Sequence, residues 1–175
     1  MAAKPALSST ARVKKSQEIE SEHISATLDL FKKMGLTDPI PESCNCKGFF
    51  SQFIRGSLKV DQIQRGRITC TLVVKPAITN AFGTLHGGAL AAVVEVVSIA
   101  CARTVVAEDK ELFLGELSMS YLSGATKNAE VLADASVVRS GRNLTVVAVD
   151  FKLKKTGKLV YTGRATFYNM PVAKL

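Results

Sequence analysis

The sequence predicts an α+β fold in which a curved antiparallel sheet wraps around one long central helix, with a helical extension at the N-terminus. Three observations lead there. The stretch from Gly88 to Ala107 is apolar on nearly every face, and Glu95 is its only charged residue before Arg103. A helix of that kind has to be covered on most sides. The segments around it alternate apolar and polar residues, as strands of an antiparallel sheet with one solvated face do. In chain order the elements read β-β-α-β-β-β-β, which one sheet curled over the helix satisfies most economically.

Residues 1–15 are rich in Ala, Lys and Ser, lack periodicity and predict no element. Residues 16–34 predict a helix with a narrow apolar stripe of Ile24, Leu28, Phe31 and Met34, stopped by Gly35. Thr37 to Pro41 reads as a loop. Residues 1–45 are therefore read as a tail and helix, and residues 46–175 as the main domain. Residues 57–64 and 67–75 predict a hairpin through Arg65-Gly66, with Ile68, Cys70, Leu72 and Val74 on one face. Asn80 to Gly87 is a polar, glycine-bearing turn into the helix. After the helix, Leu117, Met119 and Tyr121 alternate with Glu116, Ser118 and Ser120, and Val131, Ala133, Ala135 and Val137 share a face. Ser140 to Asn143 is a turn, Val147, Val149, Phe151 and Leu153 form the next apolar face, and Lys155 to Lys158 turns into a last strand from Leu159 to Tyr168.

The composition narrows the function classes. Hydrophobic residues make up 47% of the 175, enough for one domain with a core. The four cysteines include one close pair, Cys44 and Cys46, whose C-N-C spacing is no zinc-ligand pattern and no disulfide framework. No signal peptide is evident, so an intracellular protein is expected. A membrane span over residues 88–107 is disfavoured by Glu95 and Arg103, each costing about 2.5–3.5 kcal/mol in a bilayer. The net charge of +8 clusters at residues 1–17 and 139–164. The second cluster suits an anionic ligand. With 6% aromatic residues and no recognition motif, nucleic acid is not the expected partner.

Glu95 is the candidate catalytic group. A carboxylate inside an apolar helix is expected to be buried, with its pKa raised and its basicity increased, unless it is a structural acid paired with a hydroxyl. Ser98, one turn on, is a candidate partner for it. Gly87 and Gly88 open the helix, where unpaired N–H groups form a ready site for an oxyanion. His86 reads as a substrate-orienting or acid–base group, or as a hydrogen-bonder of the turn, and Asn80 as a polar site group or a turn residue. Cys101 reads as core. No G-x-S-x-G elbow is present, which argues against a serine hydrolase.

The run from Asn80 to Glu95, N-x-x-G-T-L-H-G-G-x-x-x-x-x-x-E, resembles the hotdog-fold acyl-coenzyme A thioesterases, in particular the acyl-coenzyme A thioesterase 13 (thioesterase superfamily member 2) type. The likeness covers roughly residues 50–170 and includes Tyr121-Leu122-Ser123 and Ser140-Gly141-Arg142. It implies hydrolysis of acyl-coenzyme A to free acid and coenzyme A, with no cofactor beyond the coenzyme A of the substrate. It implies a catalytic set of Glu95, Gly87, Asn80 and His86. Glu95 stands where close relatives carry Asp, and Leu114 stands where they carry a serine, leaving that polar role absent or taken by a neighbour such as Ser118. The likeness further implies coenzyme A contacts from Tyr121, Leu122, Ser123, Gly124, Ala125 and Thr126, and from Arg139, Ser140, Gly141, Arg142 and Asn143.

The alternative reading is a non-hydrolytic acyl-coenzyme A or acyl-carrier binder. A dehydratase would need a histidine as its catalytic centre, and the His86–Glu95 spacing fits it less well. Fatty-acyl and aromatic acyl groups both remain open. Gly87 and Glu95, eight residues apart, stand about 12 Å apart along a helix. A homodimer with shared sites is therefore expected, and the family adds pairing of dimers into a tetramer. The ending Ala173-Lys174-Leu175 resembles the S-K-L peroxisomal address, with a cytoplasmic or mitochondrial location as the alternative.

Overall fold

The computed structural model describes residues 24–33, 38–39, 42–44 and 47–172, leaving aside the side chains of residues 49 and 50. The chain divides into two units, Met1–Asn45 and Cys46–Leu175. In the first, residues 24–33 form helix α1, as the apolar stripe predicts, and Ile24, Leu28 and Phe31 are exposed. The expected remainder of that helix, Gly35 and the Ala173-Lys174-Leu175 ending lie outside the described residues.

The second unit opens with a short helix, α2 (Phe49–Arg55), that the sequence reading did not anticipate. The order then follows expectation: β1 (Leu58–Gln64), β2 (Arg67–Val73), α3 (Gly87–Arg103), β3 (Lys110–Tyr121), β4 (Glu130–Ser140), β5 (Leu144–Leu153) and β6 (Leu159–Pro171). The strands form one sheet in the order β1-β2-β4-β5-β6-β3, antiparallel throughout. Bulges in β1, β3, β4 and β6 bend it into the expected curve.

The concave face carries the apolar half of each alternating strand. Leu72, Val131, Ala133, Val147, Val149, Phe151, Ala165 and Phe167 are fully buried there. Helix α3 meets them with Leu90, Val93, Val94, Val97 and Cys101. Each large side chain so buried contributes about 1.5–3 kcal/mol. The helix packs tightly on the sheet at Gly163, where an added Cβ would stand 2.9 Å from Met119 Sδ and 3.0 Å from Val94 Cγ1. The helix ends at Arg103, short of the expected Ala107. Thr104 caps it by donating from Oγ1 to the Cys101 carbonyl at 2.7 Å, and the same oxygen accepts from Gly66 N–H at 2.7 Å. The β1–β2 turn is thereby tied to the end of α3.

Cover on the other faces of α3 is incomplete. Gly88, Glu95, Val96, Ala100 and Arg103 are exposed, and Ala91, Ala92 and Ile99 are half-buried. The curved sheet wraps the side of the helix that carries Val93, Val94 and Val97, as expected, and leaves this stripe open. On the solvated face of the sheet, Asp134 stands directly opposite Asp150, a like-charge pair that opposes sheet formation. Arg67 compensates by bridging both oxygens of Asp134, at 2.8 and 2.6 Å, and this holds the carboxyl below its ordinary pKa of 3.8.

Two outcomes follow. Gly163→Ala is expected to destabilise the fold by about 1–3 kcal/mol through overpacking, seen as a lower denaturant midpoint with unchanged slope. A midpoint at or above wild type contradicts the close approach. The Asp134 contribution to stability is present above the unfolded-state pKa and lost as pH falls through the lowered folded value. Asp134→Asn should therefore be less stable than wild type at neutral pH. The gap should close below about pH 4, and a gap constant across that range argues against the pair.

Candidate active site

The turn before α3 is built around Asn80. Its Oδ1 accepts from the N–H groups of Phe82 at 3.0 Å and Thr84 at 3.2 Å, and its Nδ2 donates to Thr84 Oγ1 at 3.0 Å. Both ends of the amide are engaged in shaping residues 80–84, which is the turn role weighed for it. His86 sits at the N-cap of α3 and is exposed; its Nδ1 accepts from Gly88 N–H at 3.0 Å. A neutral His86 ring therefore carries its proton on Nε2. Gly88 N–H is thus occupied, whereas Gly87 N–H has no acceptor among the described residues. The orphan donor stands at the positive end of the helix dipole. Tyr121 lies against it: its hydroxyl donates to the Gly87 carbonyl at 3.1 Å, and a Cβ on residue 87 would come within 3.3 Å of its ring.

Glu95 is not buried. It lies on the open face of α3, because the sheet takes the face defined by Val93, Val94 and Val97. What it faces is a cavity of about 490 Å³ between α2 and α3, walled by Ile54, Arg55, Leu58, Ala92 and Val96. That volume lies within the roughly 300–1,000 Å³ usual for small-molecule sites. Ser98 does not serve Glu95. It points into the core, fully buried, and its Oγ finds no hydrogen-bond partner among the described residues. Ser51 and Arg55, which share the cavity, were missed in the sequence. The signal was the apolar spacing Phe49, Phe50, Phe53, Ile54 ahead of Gly56, which marks one face of a short helix.

The segment from Tyr121 to Thr126 reaches the same end of the molecule. Leu122 and Ser123 donate backbone N–H groups to the Val160 carbonyl, and Leu85 N–H donates to the Ala125 carbonyl. Lys158 Nζ donates to Ser123 Oγ at 3.3 Å. Buried Tyr161 anchors the segment: its hydroxyl accepts from Ala125 N–H at 2.7 Å, and burial raises its pKa. Its ring packs edge-on against Tyr121 and Phe151.

The turn from Ser140 to Asn143 is held just as firmly, at the other end. Buried Asn169 donates from Nδ2 to the Gly141 carbonyl at 2.8 Å and accepts from Thr145 Oγ1 at 3.1 Å, and Thr145 also meets Ser140 Oγ at 3.3 Å. Arg139 and Arg142 project from it, exposed. Asn143 lies level with Asn169, which pairs with Leu112, nine residues from Tyr121 along β3. At about 3.4 Å per residue the two segments expected to share one ligand are roughly 30 Å apart within a chain.

Leu114, at the expected serine position, packs against the core beside the β3 bulge. Ser118 cannot replace that serine. Its neighbours Leu117 and Met119 face the core, so Ser118 lies on the opposite, solvated face with Ser120 and Arg164. Cys101 is core, as expected: fully buried, its thiol donates to the Ala135 carbonyl at 3.6 Å, and burial raises its pKa. No group of His, Cys, Asp and Glu among the described residues could hold a metal ion, and no described helix is long and apolar enough to cross a membrane.

The profile of the thioesterase superfamily matches residues 82–165, which run from the Asn80 turn into β6. Acyl-coenzyme A thioesterase 13 of Homo sapiens is 30% identical over 113 residues, 65% of this chain and 80% of that protein. The crystal structure of zebrafish thioesterase superfamily member 2 superposes with a TM-score of 0.65 at 27% identity, covering 73% of this chain and 90% of that one. A Streptococcus mutans protein seen bound to acetyl CoA shares the fold, with a TM-score of 0.61 at 20% identity over 67% of this chain and 91% of that one. The chain belongs to the thioesterase superfamily. It is a thioester hydrolase on the hotdog fold, with the family's six-stranded sheet and central helix.

Tyr161→Phe removes the acceptor for the buried Ala125 N–H and is expected to cost about 1–3 kcal/mol in thermal or denaturant unfolding. A variant as stable as wild type would show that Tyr161 does not anchor the segment.

Proposed function

We propose that the protein hydrolyses acyl-coenzyme A thioesters to the free acid and coenzyme A, in sites shared between two copies of the chain. The observation that carries this is the pairing of an unengaged Gly87 N–H at the start of α3 with Glu95 on the open face of the same helix, beside a cavity. The Gly87 N–H is placed to receive the oxyanion as a nucleophile adds to the thioester carbonyl. Glu95 supplies the other half. As a base it takes a proton from water, whose oxygen bonds to the carbonyl carbon; collapse of the adduct breaks the C–S bond, and the departing thiolate takes up a proton. Direct attack by the carboxylate is the other route open to it. Asn80 and His86 serve by fixing the turn and its N–H groups, and the cavity before Glu95 receives the acyl group.

Two copies are needed because Gly87 and Glu95 of one α3 stand about 12 Å apart along its axis. The edges of the sheet favour the pairing. Edge strand β1 is seven residues and exposes Val60 and Ile63, whereas edge strand β3 is twelve residues and exposes Phe113. A long open edge of this kind calls for a partner. Antiparallel pairing of β3 with its copy about a two-fold axis sets the Lys110 end of one strand beside the Tyr121 end of the other. The same operation brings the Ser140–Asn143 turn of one chain to the Tyr121–Thr126 segment of the other. Exposed Phe113 and Tyr168, opposite each other in register, offer the surface for pairing dimers into a tetramer. One observation favours the non-hydrolytic alternative: Leu114 is packed against the core at the position where the resemblance implies a serine.

Release of free thiol from a panel of acyl-coenzyme A substrates separates the two readings. Wild type should release thiol, and Glu95→Gln should lower kcat by about 10²–10⁴. Because the side chain is exposed, stability should stay within about 0.5 kcal/mol. Binding of acyl-coenzyme A without thiol release would establish the binder instead.

A further inference from the structure

Helix α2 brings two polar side chains to the cavity before Glu95, and the chemistry above uses neither. Ser51 and Arg55 lie one turn apart, so both project from one face of the helix. Both are exposed, and neither side chain has a hydrogen-bond or ion-pair partner among the described residues. Glu95 lines the same cavity but forms no ion pair with Arg55. The guanidinium is therefore left for another anion. The rest of the wall is apolar: Ile54, Leu58, Ala92 and Val96.

Charge points the same way. Lys75 Nζ donates to the carbonyl of Gly56, the residue after Arg55, so a second cation stands at this end of α2. With Glu95 ionised, the two cations still leave a positive surplus beside the cavity. A bound acyl group divides itself among these surfaces. Its thioester end belongs at Glu95, the group that reacts with it. Its methylenes match the apolar wall, and Ser51 and Arg55 remain for its far end. A plain alkyl end would set hydrocarbon against both donors and offer neither an acceptor. A carboxylate would offer two oxygens to the planar fork of the guanidinium and a further lone pair to the Ser51 hydroxyl.

We propose that Arg55, assisted by Ser51, selects acyl groups that end in a carboxylate, so that the preferred substrates are coenzyme A thioesters of dicarboxylic acids. This rests on the acyl-coenzyme A reading of the Glu95 cavity. The reaction is the one already described, and hydrolysis releases the dicarboxylic acid and coenzyme A.

The test compares thioesters matched in length that differ only in the terminal carboxylate: glutaryl- with pentanoyl-, adipoyl- with hexanoyl-, and suberoyl- with octanoyl-coenzyme A. The readout is the ratio of kcat/KM within each pair, measured by thiol release from the full chain. Wild type should favour the carboxylated member of at least one pair by about tenfold or more. Arg55→Leu should bring that ratio to about one or below, through a higher KM for the carboxylated ester. Arg55→Glu should reverse it. Arg55→Lys, which keeps the charge and loses the fork, should fall between wild type and Arg55→Leu. A wild-type ratio near or below one in every pair overturns the proposal. So does a ratio that Arg55→Leu and Arg55→Glu leave unchanged, which would mean that Arg55 serves Glu95 or the fold instead of the substrate. If no thioester is hydrolysed, calorimetric binding of the same pairs decides. Tighter binding of the carboxylated member that depends on Arg55 would sustain the selection and refute the proposed activity, and equal binding would overturn the selection as well.

Discussion

One sheet can cover one face of a helix, and much of this structure follows from that limit. Helix α3 is apolar on most of its surface, yet β2 to β6 reach only the face of Val93, Val94 and Val97. The close approach at Gly163 commits that face to the sheet. The opposite stripe, from Gly88 through Ala92 and Glu95 to Ile99, is only partly covered among the described residues, by α2 and Leu58 beside the cavity. A mostly apolar stripe interrupted by one carboxylate is what a second apolar surface would cover and a reaction would use.

The same asymmetry sets where chemistry can occur. The turn at Asn80 orders the start of α3, the His86 imidazole takes up one of its free donors, and Gly87 N–H is left open. Tyr121 and Tyr161 then fasten the Tyr121–Thr126 segment next to that donor. These parts belong to one end of one chain. Glu95 lies further along the helix, and the Arg139–Asn143 turn lies at the far end of the sheet, so neither reaches them within one chain.

Period-two alternation carried the strands, and the apolar run carried the helix, because both patterns are local consequences of what each face touches. The hairpin at Arg65-Gly66, the turn at Ser140–Asn143 and all six strands were legible for that reason. The exposure of Glu95 was not. A run such as AAVVEVVSIA shows that a helix will be covered, but not whether its own sheet or another chain covers it. Chain order also does not give strand order. Sequence could not show that β3 crosses to the far edge beside β6, and so could not show that the two expected carrier-binding segments lie roughly 30 Å apart. Tyr161 and Asn169 escaped notice because their roles rest on partners 36 and 28 residues away.

Whether a single chain holds a complete site is decided by subunit mixing. Glu95→Ala and Asn80→Ala chains, each inactive alone, are unfolded together and refolded in equal amounts. In a shared site, each mixed dimer joins the intact turn of the Glu95→Ala chain to the intact carboxylate of the Asn80→Ala chain. Random assortment should then restore about a quarter of wild-type activity. If Glu95 and the Asn80 turn act within one chain, no mixed dimer contains a working site, and activity that stays at the level of the separate variants would contradict the account.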